Sequence, residues 1–402
     1  THLASSAASD VYKRQDHRPE CSINHHRQAK SFAGIIAQEY DPAVQKLVGP
    51  FHKIFDGSNL GLVEGPHIYK RDGYYYLLTA EGGTFAHHGA LFARSKQLLG
   101  PYEMDPERHL LNSASAPQST LRRSGHGDLL MLPNGDSYLV HLCGRPLPYR
   151  GRCVLGRETA IQKVIWTSDG WPRLAQGHKG PLVDVENSLG ATTDPKLQNE
   201  YFDFAKDQLT LHYQSPRVPL AEPHLSYQAR PGFMRLQGQE APTSLYEQSL
   251  IARRQQAFCF ESETSLEFQP QSFQQMAGLI SFYNTQKFIY LCLTHVDELG
   301  RVLEVVMATK QGSMRYPLGK RIALPGTGLI RLKVMVEYDQ WRGAYAVGNG
   351  DWQPLGGYID YSGLADEVEG EHFTGAFIGM ACHDLSGQYI HADFKSFSYC
   401  ER

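Results

Sequence analysis

Two stretches about sixty residues apart carry the same pattern, and this repeat limits the folds open to the chain more than any other feature. GPHIYKRDGYYYLLTAEG starts at Gly65 and GHGDLLMLPNGDSYLVHLCG at Gly125. Each runs Gly-x-x, an apolar strand, a turn at Asp72-Gly73 or Asn134-Gly135, then an aromatic and aliphatic strand. Asp-Gly and Asn-Gly between apolar runs mark hairpins, because these residues tolerate the positive φ angles of a tight turn. A second pair interleaves with the first: GIIAQEYDPAVQKLVGPF from Gly34 and GALFARSKQLLGPYE from Gly89. Each is an apolar strand, a connector and Leu-x-Gly-Pro-aromatic. AIQKVIWTSDGWPRL from Ala160 reads as a further outer hairpin. A four-strand unit recurring at this period predicts propeller blades; an antiparallel sandwich with coincidental hairpins is the alternative. Helical patterning is weak throughout, and the repeat makes FAGIIAQEY a strand. About three blades fit over residues 16–190, fewer than the four or so that close a ring.

From Tyr201 the texture changes. LTLHYQSPRVPL, SLEFQP, AGLISFYNTQKFIYLCLTHV, VLEVVMATK, IRLKVMVEYDQWRGAYAVG and FTGAFIGMACHD are short runs rich in β-branched and aromatic residues. Turn signals such as Asn349-Gly350 separate them, which predicts a β-sandwich over residues 201–402. The fold class expected for the whole chain is therefore all-β, a partial propeller followed by a sandwich.

The first fifteen residues fit neither unit. SSAASDVYKRQ, Ser5–Gln15, is poor in acids and carries Lys and Arg, as a frayed tail or a transit peptide would. One choice of codons, however, spells a transposase-based sequencing adapter through its mosaic end. Residues 1–15 are accordingly expected to be adapter-derived, with native sequence starting near Asp16 and an upstream portion missing. Asp10 is then no candidate acid.

Charge and composition narrow the partners. A net charge of −3 over 402 residues offers no broad pull on nucleic acid or anionic membrane. No apolar run approaches the roughly 20 residues that span a bilayer. Seven scattered cysteines without a CxxC pair predict free thiols and favour a reducing compartment, a bacterial cytoplasm. With 22 Tyr, 18 Phe and four Trp there is ample aromatic surface on which sugars could stack.

Three polar residues stand at matching places in the repeat. Glu64 precedes an inner strand, where a propeller's central funnel would expose it, and the Gly-Pro after it lets a ligand approach closely. Taken singly, a Glu there is a solvated surface residue. His126 occupies the same place in the next blade; its default is structural, and its alternatives are a substrate hydroxyl or a metal or its waters. Arg157 precedes the following strand, either ion-paired to Glu158 or presenting a fixed fork of donors to hydroxyls or a carboxylate. Three such groups at three blade starts form a constellation. GxSxG elbows, zinc spacings and phosphate loops are absent, and the pairs His25-His26 and His87-His88 read as loop residues rather than metal ligands.

GLVEGPHIYKRDGYYYLLTAEGG, ARSKQLLGPYE, GHGDLL, HLCGRPLP and LGRETAIQKVIW together resemble glycoside hydrolase family 43, in particular its β-xylosidases with a C-terminal sandwich. RPGFMRLQGQEAPTSLYEQSLIARRQQAF, FQQMAGLISFYNT, THVDELGRVL and FTGAFIGMACHDLSG extend the resemblance from about Asp16 to Arg402. It implies a five-bladed propeller, and exo-acting release of xylose from xylooligosaccharides with inversion. An α-L-arabinofuranosidase of the same family, or a non-catalytic carbohydrate-binding protein, is the alternative. The family's general acid falls on Glu64, its active-site His on His126 and its substrate-binding Arg on Arg157. A Phe lent to the pocket by the sandwich falls on Phe373. No cofactor is required, and some members bind Ca2+ in the channel, which would place a metal, through waters, at His126. Homo-oligomers remain open. The family's general base and its pKa-tuning partner are Asp residues mapping upstream of Asp16, which itself resembles a position after the tuner. The resemblance thus implies a fragment that lacks its base and is inactive.

Overall fold

The computed structural model describes residues 2–5, 34–186, 190, 196–308, 314–315, 319–368 and 373–402, with backbone alone at 2–5 and 314–315. Cys21, His25, His26, Asp10 and Asp16 lie outside the described residues. Contacts divide the chain into two units, residues 1–145 with 157–192, and residues 146–156 with 193–402.

Among the described residues the first unit holds three antiparallel sheets. β1 (His2–Ser5), β2 (Ile35–Asp41) and β3 (Lys46–Phe55) form one. β4 (Glu64–Arg71), β5 (Tyr74–Glu81), β6 (Gly89–Ser95) and β7 (Glu103–Asn112) form the second, in that order. β8 (Arg122–Met131), β9 (Ser137–Gly144), β10 (Glu158–Trp166) and β11 (Pro172–Leu174) form the third. The two four-stranded sheets are the two copies of the repeat, and β2 is a strand as the repeat required. β1 pairs along β2 from His2 opposite Tyr40 to Ser5 opposite Ala37. An edge strand offers unpaired N–H and C=O groups to any extended segment, so this pairing asks nothing of the four side chains.

Alternation explains how the sheets stack. Along β5 and β6, Leu77, Leu91 and Ala93 turn to one face and pack with Ile35, Ala37, Ile54 and Phe55 of the first sheet. Leu78, Ala90 and Phe92 turn to the other and pack with Leu129, Leu139 and Val164 of the third. A sheet with period-two apolar residues on both faces must be covered twice, which is the arrangement of propeller blades. Arg173 adds a clamp, its guanidinium taking both oxygens of buried Asp105 at 2.6 and 3.0 Å. Asp72-Gly73 makes the predicted two-residue turn with φ of 47° and 78°. Asn134-Gly135 sits instead in a longer connection, closed by Leu132 N–H donating to Asp136 O at 2.8 Å.

The second unit is a sandwich of a nine-stranded and an eight-stranded sheet. The long strands of the first are His391–Glu401, Cys259–Glu267, Ile330–Glu337 and Gln340–Val347. Those of the second are Ser249–Arg254, Phe377–Asp384, Gln275–Asn284, Lys287–Val296 and Gly300–Ala308. Leu279, Leu291, Leu303 and Ile378 face Leu332, Val334, Phe394 and Phe397 in one core. LTLHYQSPRVPL, expected as a strand, contributes only Tyr213–Gln214; its two prolines supply no N–H to a ladder. Residues 146–156 interrupt the first unit in sequence yet belong to the second, where Leu147, Val154 and Leu155 are buried in the sandwich core. Burying each is worth roughly 1.5–3 kcal/mol, which outweighs sequence proximity. Ala376 N–H donates to Val154 O at 2.8 Å and Asp366 N–H to Cys153 O at 3.1 Å.

Among the described residues there is no α-helix, two 3-10 turns (Ser113–Ser115 and Tyr361–Leu364), and no helix long and apolar enough to cross a membrane. The six described cysteines are free thiols.

Candidate active site

Glu64 opens β4, and the start of that strand is irregular. Glu64 pairs with Ala80, but the next pairing is His67 with Leu78, so one extra residue is accommodated. Such a bulge bends the strand and re-aims the side chains beside it. Gly65, inside it, has φ of +56°. The Glu64 side chain is 19% exposed, and burial raises its pKa above the ordinary carboxylate value. A carboxyl in this setting keeps its proton further toward neutral pH than a surface glutamate.

The same device recurs in β8. Arg122 pairs with Gly144, Gly125 with Leu142 and Gly127 with His141, so the register shifts twice. His126 and Arg123 carry positive φ at these points, 46° and 52°. A non-glycine residue in this region is strained and persists only where its surroundings impose it. The two bulges bring Glu64 and His126 together, with Nδ1 of the imidazole 4.0 Å from Oε1. Burial, then the neighbouring His67, lowers the His126 pKa. Both shifts disfavour the charged forms of the pair. Gly65 is what permits the approach, since a Cβ there would lie 2.5 Å from His126 Nε2.

Arg157 precedes β10. It does not pair with Glu158, whose carboxylate is held by the Arg145 guanidinium through two bonds of 2.8 and 2.7 Å. Arg157 instead donates to Thr84 O at 2.9 Å, and Arg123 reaches the same carbonyl at 3.5 Å. The Thr84 carbonyl thus holds two guanidinium groups at the end of the second sheet.

A residue dismissed in sequence as a loop histidine lies beneath these groups. His88 is 1% exposed, and neither ring nitrogen has a partner among the described residues. Burial, followed by the nearby His126, Arg157, His141 and Arg123, pushes its pKa down to about 3. Its ring fills the space left by Gly125, where a Cβ would come within 1.8 Å of Cδ2. His141 on β9 is likewise buried and pushed to about 4, with Nδ1 on Leu142 O at 2.9 Å. Nothing in the sequence near His88 announces this, because the burial comes from a contact with a residue 37 positions away.

Phe373, the fourth expected site residue, belongs to the second unit, in the connector before Phe377–Asp384, and is half exposed. The metal suggested for His126 finds no built cage. No three His, Cys, Asp or Glu side chains converge as a directly held cation needs, among the described residues.

Residues 11–172 match the family described as glycosyl hydrolases family 43, and residues 202–400 match the β-xylosidase C-terminal concanavalin A-like domain. The chain belongs to glycoside hydrolase family 43. It is 39% identical over 390 residues to a β-xylosidase of Bacillus subtilis (strain 168), covering 94% of this chain and 73% of that protein. It is 40% identical over 384 residues to xylosidase/arabinosidase 43B of Humicola insolens, covering 94% and 71%. Among solved structures it matches xylan β-1,4-xylosidase from Bacillus halodurans C-125 with a TM-score of 0.87 and 45% identity, over 93% of this chain and 72% of that one. The chain is accordingly a glycosidase by family, built from a propeller-like unit and a concanavalin A-like sandwich.

Proposed function

We propose that this chain carries the acid half of an inverting, exo-acting β-D-xylosidase site, with Glu64 as general acid. The observation that carries this reading is the Glu64 carboxyl, mostly buried with its pKa raised by that burial, 4.0 Å from the His126 imidazole, whose pKa is lowered. Hydrolysis with inversion needs a protonated carboxyl to give its proton to the leaving oxygen and a carboxylate to activate water on the opposite face. The two stand about 6.5–9.5 Å apart to leave room for that water. Glu64 supplies the proton, Arg157 offers planar donors to sugar hydroxyls, and neutral His126 accepts or donates one hydroxyl bond. The carboxylate that activates water is none of these three groups, and an external nucleophile can take its place. Loss of one acid–base group costs about 10²–10⁴-fold.

Azide tests the reading because it attacks without giving up a proton. With xylobiose and azide, nitrogen attacks C1 as the C1–O bond breaks, and Glu64 protonates the leaving O4. The expected products are xylose and α-configured xylosyl azide. Product of β configuration contradicts inversion. Binding without any azide product supports the carbohydrate-binding alternative. The Humicola insolens relative is a xylosidase/arabinosidase, which favours one second reading, an arabinosidase. Faster azidolysis of an α-L-arabinofuranoside than of the xyloside decides for it.

A further inference from the structure

Glu81 ends β5 with no exposed side-chain surface, and the catalytic reading leaves it without a role. Three donors converge on its carboxylate. Ser58 gives its N–H at 3.0 Å and its Oγ–H at 2.8 Å, and His109 Nε2 on β7 stands 2.6 Å from Oε1. Burial alone would push the carboxyl up, but the bonds from His109 and Ser58 outweigh it and hold its pKa below the ordinary value. Glu81 is thus an anion without contact to solvent, and it meets no ligand. Its bonds tie two strands to a loop instead.

That loop leads directly to the acid. Ser58 Oγ accepts from Leu60 N–H at 3.2 Å and Ser58 O from Gly61 N–H at 3.2 Å, so residues 58–61 close a turn around the side chain that Glu81 grips. Only Leu62 and Val63 separate this turn from Glu64. Val63 is 1% exposed and packs in one core with Ile54 and Leu77. A shift of the turn is therefore passed on rather than absorbed. The same turn steers the Arg157 side of the site. Gly61 O accepts from the N–H of Gly82, the residue after Glu81, at 2.9 Å. Gly82 and Gly83 take φ of 81° and 60°. A Cβ on either would lie 2.9 Å from a side chain of the facing loop, at Leu60 Cδ2 or Leu62 Cδ1. The two loops are pressed together, one delivering Glu64 and the other presenting the Thr84 carbonyl to Arg157.

We propose that Glu81 is a positioning residue for the acid and for Arg157: it fixes the turn at 58–61 that aims Glu64 and, through Gly61 and Gly82, the loop that carries the Thr84 carbonyl. The proposal rests on the reading of Glu64 as the acid. Proton transfer is sensitive to such placement, because a shift of about 1 Å can cost roughly 10²-fold.

Glu81→Ala and the milder Ser58→Ala test it in the full chain, with Glu81→Gln as the conservative variant. Asp105→Ala, which loses a buried carboxylate elsewhere in the same unit, is the control for lost stability. Azidolysis is compared on xylobiose, whose leaving group needs a proton, and on 2,4-dinitrophenyl β-D-xyloside, whose leaving group does not. Hydrogen exchange is followed in peptides covering 58–64 and 82–88. In Glu81→Ala and Ser58→Ala, kcat should fall about 10–100-fold on xylobiose and less than about threefold on the dinitrophenyl substrate. KM should rise on both substrates as the Arg157 fork shifts, and both peptides should exchange faster. Glu81→Gln, whose amide oxygen still accepts from Ser58, should recover part of the loss. Asp105→Ala should leave the ratio of the two kcat values unchanged. If Glu81→Ala does not fold, Ser58→Ala carries the test, since it keeps Glu81 and His109 in place. Equal kcat losses on both substrates, or unchanged exchange in the two peptides, overturn the proposal. Absence of azidolysis in the wild type contradicts the Glu64 reading instead. Exchange then still decides the coupling of the loops, faster in both peptides for it and unchanged against it.

Discussion

Replacing His88 by Gln should remove much of the acid sensitivity of the propeller-like unit. His88 is buried without a ring-nitrogen partner among the described residues, and its folded pKa is pushed to about 3 from the ordinary 6.5. A depressed histidine pKa means that below 6.5 the unfolded chain takes up a proton that the folded chain refuses. Stability is thus fully present above the unfolded value and is lost as pH falls from 6.5 toward 3. The slope for one such group approaches about 1.4 kcal/mol per pH unit. Between about pH 6.5 and about pH 4.5 the loss attributable to His88 is about 2 kcal/mol. His141, pushed to about 4, adds a similar slope that the variant retains. Glutamine is neutral throughout, so the variant starts less stable at neutral pH but loses less on acidification. Urea unfolding followed by tryptophan fluorescence at the two pH values reads the difference, since Trp166 and Trp171 report on this unit. Parallel pH dependences in wild type and variant would refute the picture of a buried neutral imidazole.

Glu64→Gln should raise the thermal midpoint at about pH 7 and leave it unchanged at about pH 4. A carboxyl with a raised folded pKa favours folding below its ordinary 4.5, and that advantage is lost as pH rises through the folded value. Equal midpoints at both pH values would show that burial does not disfavour the carboxylate. Gly65→Ala should cost about 1–2 kcal/mol from its left-handed backbone alone. It should also weaken xylobiose binding by displacing His126, which titration checks. Gly125→Ala, with a Cβ 1.8 Å from the His88 ring, should destabilise by about 1–3 kcal/mol in the same melts. Asp105→Ala removes two bonds of the Arg173 guanidinium, which keeps those to Glu107 and the Pro172 carbonyl, and should cost about 1–3 kcal/mol; a loss within noise would make that clamp ornamental.

What could be read ahead of the structure depended on whether a residue's setting was local. Asp72-Gly73 and the alternation along β5 and β6 carry their own geometry, so strands, turns and the two copies of the repeat were legible. Glu64, His126 and Arg157 were legible as a set because the repeat placed each at the start of an equivalent strand. Their environment was not, since the two bulges are register shifts against a partner strand and the Arg145 fork on Glu158 crosses from one strand to the next. His88 was invisible for the same reason: its burial is created by Gly125, on another sheet. Residues 146–156 offered a usable signal, a long connector with two prolines between strands otherwise joined by shorter connections. Its apolar residues Leu147, Val154 and Leu155 needed the sandwich core to show where they belong.

The proton donated by Glu64 is the centre of the account, and leaving-group dependence tests it most directly. Azidolysis rates of wild type and Glu64→Gln should be compared on xylobiose, whose leaving alkoxide needs a proton, and on 2,4-dinitrophenyl β-D-xyloside, whose leaving group does not. The account predicts a loss of about 10²–10⁴-fold on xylobiose and almost none on the dinitrophenyl substrate. An equal loss on both would assign Glu64 to binding rather than to proton transfer and contradict the mechanism.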